Sequence, residues 1–163
     1  MAQTLTPKTQ SPLPEASQPT IYSGMKAQSD FHVHSNQIAN RLLSTRGVSF
    51  DEALSMNQDL ESWSLTLPSY FQLQGEVPSH EQWYLFARSR LWWRFWNLKI
   101  VLFRQILLRR AVNSSGRIQA FPLSAGDDKC RDICIDAAHS TILSIHSFLE
   151  QCELTRLVGW YAM

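Results

Sequence analysis

An all-α fold, arranged as a helical array, is what this sequence predicts. Three observations carry the expectation. Ser49-Phe50-Asp51-Glu52 has the form of a capping box, a serine followed three residues later by a glutamate. Glu81 to Ala111 runs without a proline or a glycine and is rich in Leu, Arg, Phe and Trp. Phe31, His34, Ile38 and Leu42 recur at intervals of three or four residues, the spacing that puts side chains on one helix face.

Residues 1–29 are expected to be disordered. They hold four prolines among Ser, Thr and Gln and carry no apolar period, so they offer little to a core. A first helix is expected near 31–46, closed by the basic Arg46 and by Gly47 behind it. The second, near 49–65, starts at the Ser49 cap, with Asp51 and Glu52 where the helix dipole favours negative charge. Val48 can staple onto Ala53. Pro68 stops this element, and residues 68–80, with two prolines and a glycine, read as a loop.

The third helix, near 81–111, is apolar almost all round. Its polar residues Arg90, Arg94, Asn97 and Arg104 make one narrow stripe, so other helices are expected on most sides. After Asn113-Ser114-Ser115-Gly116 and Pro122, Asp127 or Asp128 is the expected cap of a fourth helix, near 127–151. Ile133, Ala137, Ile145 and Phe148 share one of its faces, with Ile135, Ala138, Ile142 and Leu149 beside them. Leu154 to Met163 is apolar and aromatic and has no cap, which suggests that more helix should follow.

The 163 residues suit one ordinary domain. The apolar fraction of 44%, with six Trp and eight Phe, allows a packed core. Charged residues make up 18%, below the usual quarter, which fits a segment that packs against something larger. A formal net charge of +1 excludes a globally basic nucleic-acid binder. Arg94, Lys99 and Arg104 interrupt the longest apolar stretch and argue against a membrane span.

No arrangement of residues points to an enzyme. Cys130 and Cys134 stand four apart, but Cys152, His139 and His146 are too few and too regularly placed on the same helix to finish a tetrahedral site. Small buried thiols explain them better. Asp132, Asp136, His139 and His146 share a helix face, which reads as solvated rather than as a metal site, since no second segment offers paired carboxylates. His32 and His34 read as a partly exposed helix terminus. The interleaved basic and aromatic residues of RSRLWWRFWNLKIVLFRQILLRR could stack single-stranded nucleic acid. Their rings point in nearly all directions on a helix, however, which is the pattern of a core whose arginines reach outward.

That central helix also resembles the middle homology region of fungal binuclear zinc-cluster transcription factors. ARSRLWWRFWNLKIVLFRQILLRRA matches the family's arginine-led, aromatic-rich helix through Arg90, Trp93, Trp96, Asn97 and Arg104. DLESWSLTLPSYF resembles its Trp-to-Leu-Pro turn through Trp63, Leu67 and Pro68. CRDICIDAAHSTILSIHSFLE resembles the helix that follows, through Cys134, Ala137 and Ala138, and LTRLVGWYAM resembles the start of a further apolar helix, with Trp160.

The resemblance covers residues 30–163 and implies a truncated piece of a larger helical regulatory domain, at work in the nucleus. It implies partners in the rest of the same factor or in another protein, with homodimerisation of the full-length factor a further option. Two departures matter. Gln105 stands where the family places a proline, and the family's C-x2-C-x6-C cluster is absent, so zinc and DNA contacts would belong to a missing part. No cofactor is expected in this chain. The alternative is a standalone helical interaction module unrelated to transcription.

Overall fold

The structure, a computed structural model, describes residues 18–44, 47–114 and 125–152. Within them run four helices and no strand: α1 (Ile21–Leu42), α2 (Phe50–Leu65), α3 (Gln82–Ser114) and α4 (Ala125–Gln151), with a short 3-10 turn at Ser69–Phe71 between α2 and α3. The all-α expectation holds for these residues. The Leu154–Met163 segment and residues 1–17 lie outside them.

α1 begins earlier than the sequence suggested, so the disordered stretch expected through residue 29 is corrected from Ile21 onward. Thr20 caps it: Thr20 Oγ1 accepts from the Ser23 N–H at 3.0 Å, and Ser23 Oγ accepts from the Thr20 N–H at 2.9 Å. This is a capping box with serine in the place usual for glutamate. Behind it Gly24, Ala27, Phe31 and Ile38 are buried, so a face of small residues continues into the aromatic face already expected. The helix ends at Leu42 rather than at Arg46. Gly47 turns the chain with φ of +68°, a backbone shape that costs glycine nothing and other residues a good deal.

Ser49 caps α2 as expected, its hydroxyl accepting from the Glu52 N–H at 3.2 Å. The Glu52 carboxylate meanwhile pairs with Arg41 near the end of α1, through Nε and, at 2.6 Å, through Nη2. Arg41 also donates to the Gly47 carbonyl at 3.0 Å, so one guanidinium ties both sides of the α1–α2 turn.

The segment expected to be a plain loop is partly core. Tyr70 and Phe71 are buried in the 3-10 turn, because Pro68 starts a tight bend that drives both rings inward. α3 reclaims the backbone groups left over. Trp92 Nε1 donates to the Phe71 carbonyl at 2.9 Å, the Tyr84 hydroxyl donates to the Tyr70 carbonyl, and Arg88 donates to the carbonyls of Gln72 and Leu73 at 2.6 and 2.8 Å. Buried carbonyls need such partners.

α3 is the spine. It packs along α4 for much of its length and also against α1, with a smaller contact to α2. Leu91, Trp92, Trp93, Phe95, Trp96, Leu98, Leu102 and Phe103 are all buried, over an arc of roughly 220° of the helix at 100° per residue, and Arg90, Arg94, Asn97 and Arg104 fall on the remaining side. Burial over so wide an arc leaves its basic residues to work at the edges: Lys99 pairs with Glu61 and lies 5.5 Å from the centre of the Phe95 ring, and Arg94 reaches Gln28 at 3.2 Å. α4 starts at Ala125, so Asp127 and Asp128 fall in its first turn rather than at the cap.

Candidate interaction surface

The residues singled out from the sequence do not converge on one site. Trp63 is buried where α1, α2 and α3 meet, with ring centres 5.5 Å from Phe31, 5.7 Å from His34 and 6.5 Å from Phe95. Leu67 is buried and Pro68 half-buried at the start of the 3-10 turn. Trp96 is buried 5.9 Å from Trp92. Trp93 points the other way, into α4: it meets Phe148 edge-on at 5.3 Å and donates to Ser144 Oγ at 3.0 Å. Arg90 is half-buried beside α1, whereas Asn97 and Arg104 are exposed. On α4, Ala137 is buried, and Ala138 and Cys134 are half-buried. Trp160 lies outside the described residues.

The cysteines are free thiols, and Cys130 is fully buried. The Cys134 thiol faces the Ile100 carbonyl of α3 at 3.8 Å. Burial pushes its pKa above the ordinary thiol value, and the nearby Arg104 charge partly offsets that. Cys152 is raised by burial as well. Neither shift suits a nucleophile, which needs the thiolate. Asp132, Asp136, His139 and His146 are all exposed on α4, Asp132 beside Arg131 and His146 3.7 Å from Glu150. Among the described residues no group of three or more His, Cys, Asp or Glu could hold a metal ion, and no helix is long and apolar enough to cross a membrane.

What the molecule offers instead is apolar surface. Between α1 and α3 lies a groove of about 530 Å³, walled by Ile21, Met25, Trp83 and Phe86, with His32 and Arg90 toward its polar edge. The sequence did not reveal this groove, because its α1 wall fell in the stretch expected to be disordered. The Thr20–Ser23 pair and the spacing of Gly24, Ala27 and Phe31 were the available signal. On α4 the two apolar faces separate. Cys130, Ala137 and Phe148 are buried, with Ile133 and Ile145 packed against that core, while Ile135, Ile142, Leu143 and Leu149 face solvent.

The chain matches no protein-family model, no curated protein and no solved structure.

Proposed function

We propose that this chain is a non-catalytic helical interaction region that serves transcriptional regulation, as part of a factor whose DNA contacts and zinc lie outside these residues. The observation that carries the interaction half is the solvent-facing apolar row on α4, beside an α3 whose aromatic residues are already used inside. Exposed apolar rows of that kind are the usual currency of helix-on-helix docking. The transcriptional half rests on the resemblance of four sequence segments to the middle region of zinc-cluster factors. The Trp63–Leu67–Pro68 turn and the Trp93–Trp96 helix, two of those segments, both contribute to one core here, which suits a region that restrains activity by packing.

The test is a nuclear reporter. The chain is fused behind a heterologous DNA-binding domain and compared with that domain alone at matched protein level. Output should shift, and Trp93→Ala and Trp96→Ala, which open cavities costing about 3–5 kcal/mol each, should reverse the shift. Output equal to the DNA-binding domain alone would refute the transcriptional reading and favour the standalone interaction module.

A further inference from the structure

α1 and α3 run in the same direction along the groove that they wall. Gly24 backs onto Ala87, where an added Cβ would meet the Ala87 Cβ at 3.7 Å, and Gln28 Nε2 donates to the Ala87 carbonyl at 3.2 Å. Further along both helices, Arg94 Nη1 lies 3.0 Å from His32 Nε2. Advancing along α1 therefore means advancing along α3. The groove takes in Ile21 to His32 of the one and Trp83 to Arg90 of the other, roughly 16 and 10 Å at the helical rise.

This shared direction gives the groove two unlike ends. The leading end is apolar on both walls, with Ile21 and Met25 on α1 and Trp83 and Phe86 on α3. The trailing end is polar on both, with Gln28 and His32 on α1 and Arg90 on α3, and Arg94 one turn behind. No Asp or Glu lines the groove. Asp30 turns to Lys26, on the side of α1 that meets Trp63, and Glu81 accepts from Trp83 Nε1 at the apolar end.

The polar end is an array of donors. Arginine only donates, so in the Arg94–His32 contact Nε2 accepts and the ring proton sits on Nδ1. Gln28 Oε1 likewise accepts from Arg94, at 3.2 Å. The side-chain acceptors of Gln28 and His32 are thereby satisfied within the protein. What this end offers a visitor is positive charge and N–H groups. A guanidinium carries five N–H donors, so Arg90 has room for a carboxylate beside the partners it already holds.

We infer that this groove binds an amphiphilic carboxylate, with its apolar body between Met25, Trp83 and Phe86 and its carboxylate at Arg90. The volume of about 530 Å³ suits a small molecule of that kind. Burial of the body supplies the affinity, and charge sets the direction in which the molecule lies. An amine of the same length would bring like charge to Arg90. The inference rests on the groove alone and stands or falls independently of the transcriptional reading.

The experiment is calorimetric titration of the full chain with decanoate and, separately, with decylamine, with circular dichroism on every variant to confirm helix content. Decanoate, with 12 non-hydrogen atoms, should bind once per chain with a Kd of roughly 0.1–1 mM, and decylamine at least about tenfold more weakly. Arg90→Met should weaken decanoate by about tenfold, since a hydrogen-bonded charge is lost. Met25→Glu should abolish binding by placing an acid in the apolar wall. Met25 is 67% exposed, so this variant keeps the fold and decides the matter alone if Arg90→Met loses helix content. Ile142→Asp, on the outer face of α4, should change nothing. No binding of decanoate at millimolar concentration overturns the inference. So does equal binding of decylamine, binding untouched by Met25→Glu, or binding lost in Ile142→Asp, which would put the molecule on α4.

Discussion

The Trp93 indole N–H donates to Ser144 Oγ at 3.0 Å, across 51 residues of chain, and so ties α4 to α3 by a directional bond. The ring edge also meets Phe148, so position 93 supplies a directional bond and apolar mass together. Ser144→Ala leaves the indole N–H without that acceptor and should cost about 1–3 kcal/mol. Trp93→Ala should cost more, about 3–5 kcal/mol. In urea melts of both single variants and the double, the two losses should fall short of additivity. Full additivity would show that the bond contributes nothing of its own.

Two glycines should respond in opposite directions to alanine. Gly24 lies inside α1, and a Cβ there would meet Ala87 Cβ and Phe71 Cζ at 3.7 Å, an ordinary contact distance. Gly24→Ala should stabilise by about 0.5–1 kcal/mol through helix propensity. Gly47, at φ of +68°, would force alanine into the left-handed region with its Cβ against the Arg109 guanidinium. Gly47→Ala should destabilise by about 1 kcal/mol or more. Thermal melts decide, and equal shifts of one sign would contradict the turn geometry.

Arg41 and Glu52 close the α1–α2 turn. Their side chains are 29% and 34% exposed, so solvent screens part of the attraction. Arg41→Ala should therefore cost about 1 kcal/mol rather than the several expected of a dry pair. Raising salt should shrink the difference between wild type and variant. A salt-independent loss would mean that the Gly47 carbonyl, rather than Glu52, is the partner that matters.

Tyr84 links stability to alkaline pH. Desolvation raises its pKa above the ordinary 10.0, with Arg88 opposing. The neutral phenol is favoured in the folded chain, so its full contribution is present below pH 10, and stability falls as pH rises from there. Cys134 and Cys152, also raised by burial above the ordinary 9.0, act in the same sense from somewhat lower pH. Tyr84→Phe should lower stability at neutral pH, because the buried Tyr70 carbonyl loses its donor, and should flatten the fall above pH 10. Spectroscopic titration of the phenol in the wild type checks the direction: a midpoint at or below 10 would refute it.

Three of the four helices were legible because local signals agreed with the tertiary outcome. Ser49 caps α2, and the run without proline or glycine is α3. The start of α1 was hidden by the proline-rich composition before it. Its capping box uses Ser23 where glutamate is the recognisable sign, and Gly24 and Ala27 bury a face too small to register as apolar. The burial of Tyr70 and Phe71 was not legible either, since it depends on donors from Tyr84 and Trp92 that lie 14 and 21 residues on. Nor could period alone say which apolar row of α4 would be covered. Ile135, Ile142 and Leu149 look as fit for a core as Ile133, Ala137 and Phe148, and only the position of α3 decides between them. The residues carried by the family resemblance fall partly in that core and partly at the surface, which is why they build no single site.

Basic and aromatic as it is, α3 buries its rings from Leu91 to Phe103 and is the packed spine of the described residues. Backbone hydrogen exchange with mass spectrometry tests this most directly. Amides from Leu91 to Phe103 should be the slowest in the chain, opening only with global unfolding, while those at the start of α1 and the end of α4 exchange sooner. If Leu91–Phe103 exchanges as fast as the exposed helix ends, and slows only when single-stranded nucleic acid or anionic vesicles are added, α3 is a binding face and not the spine.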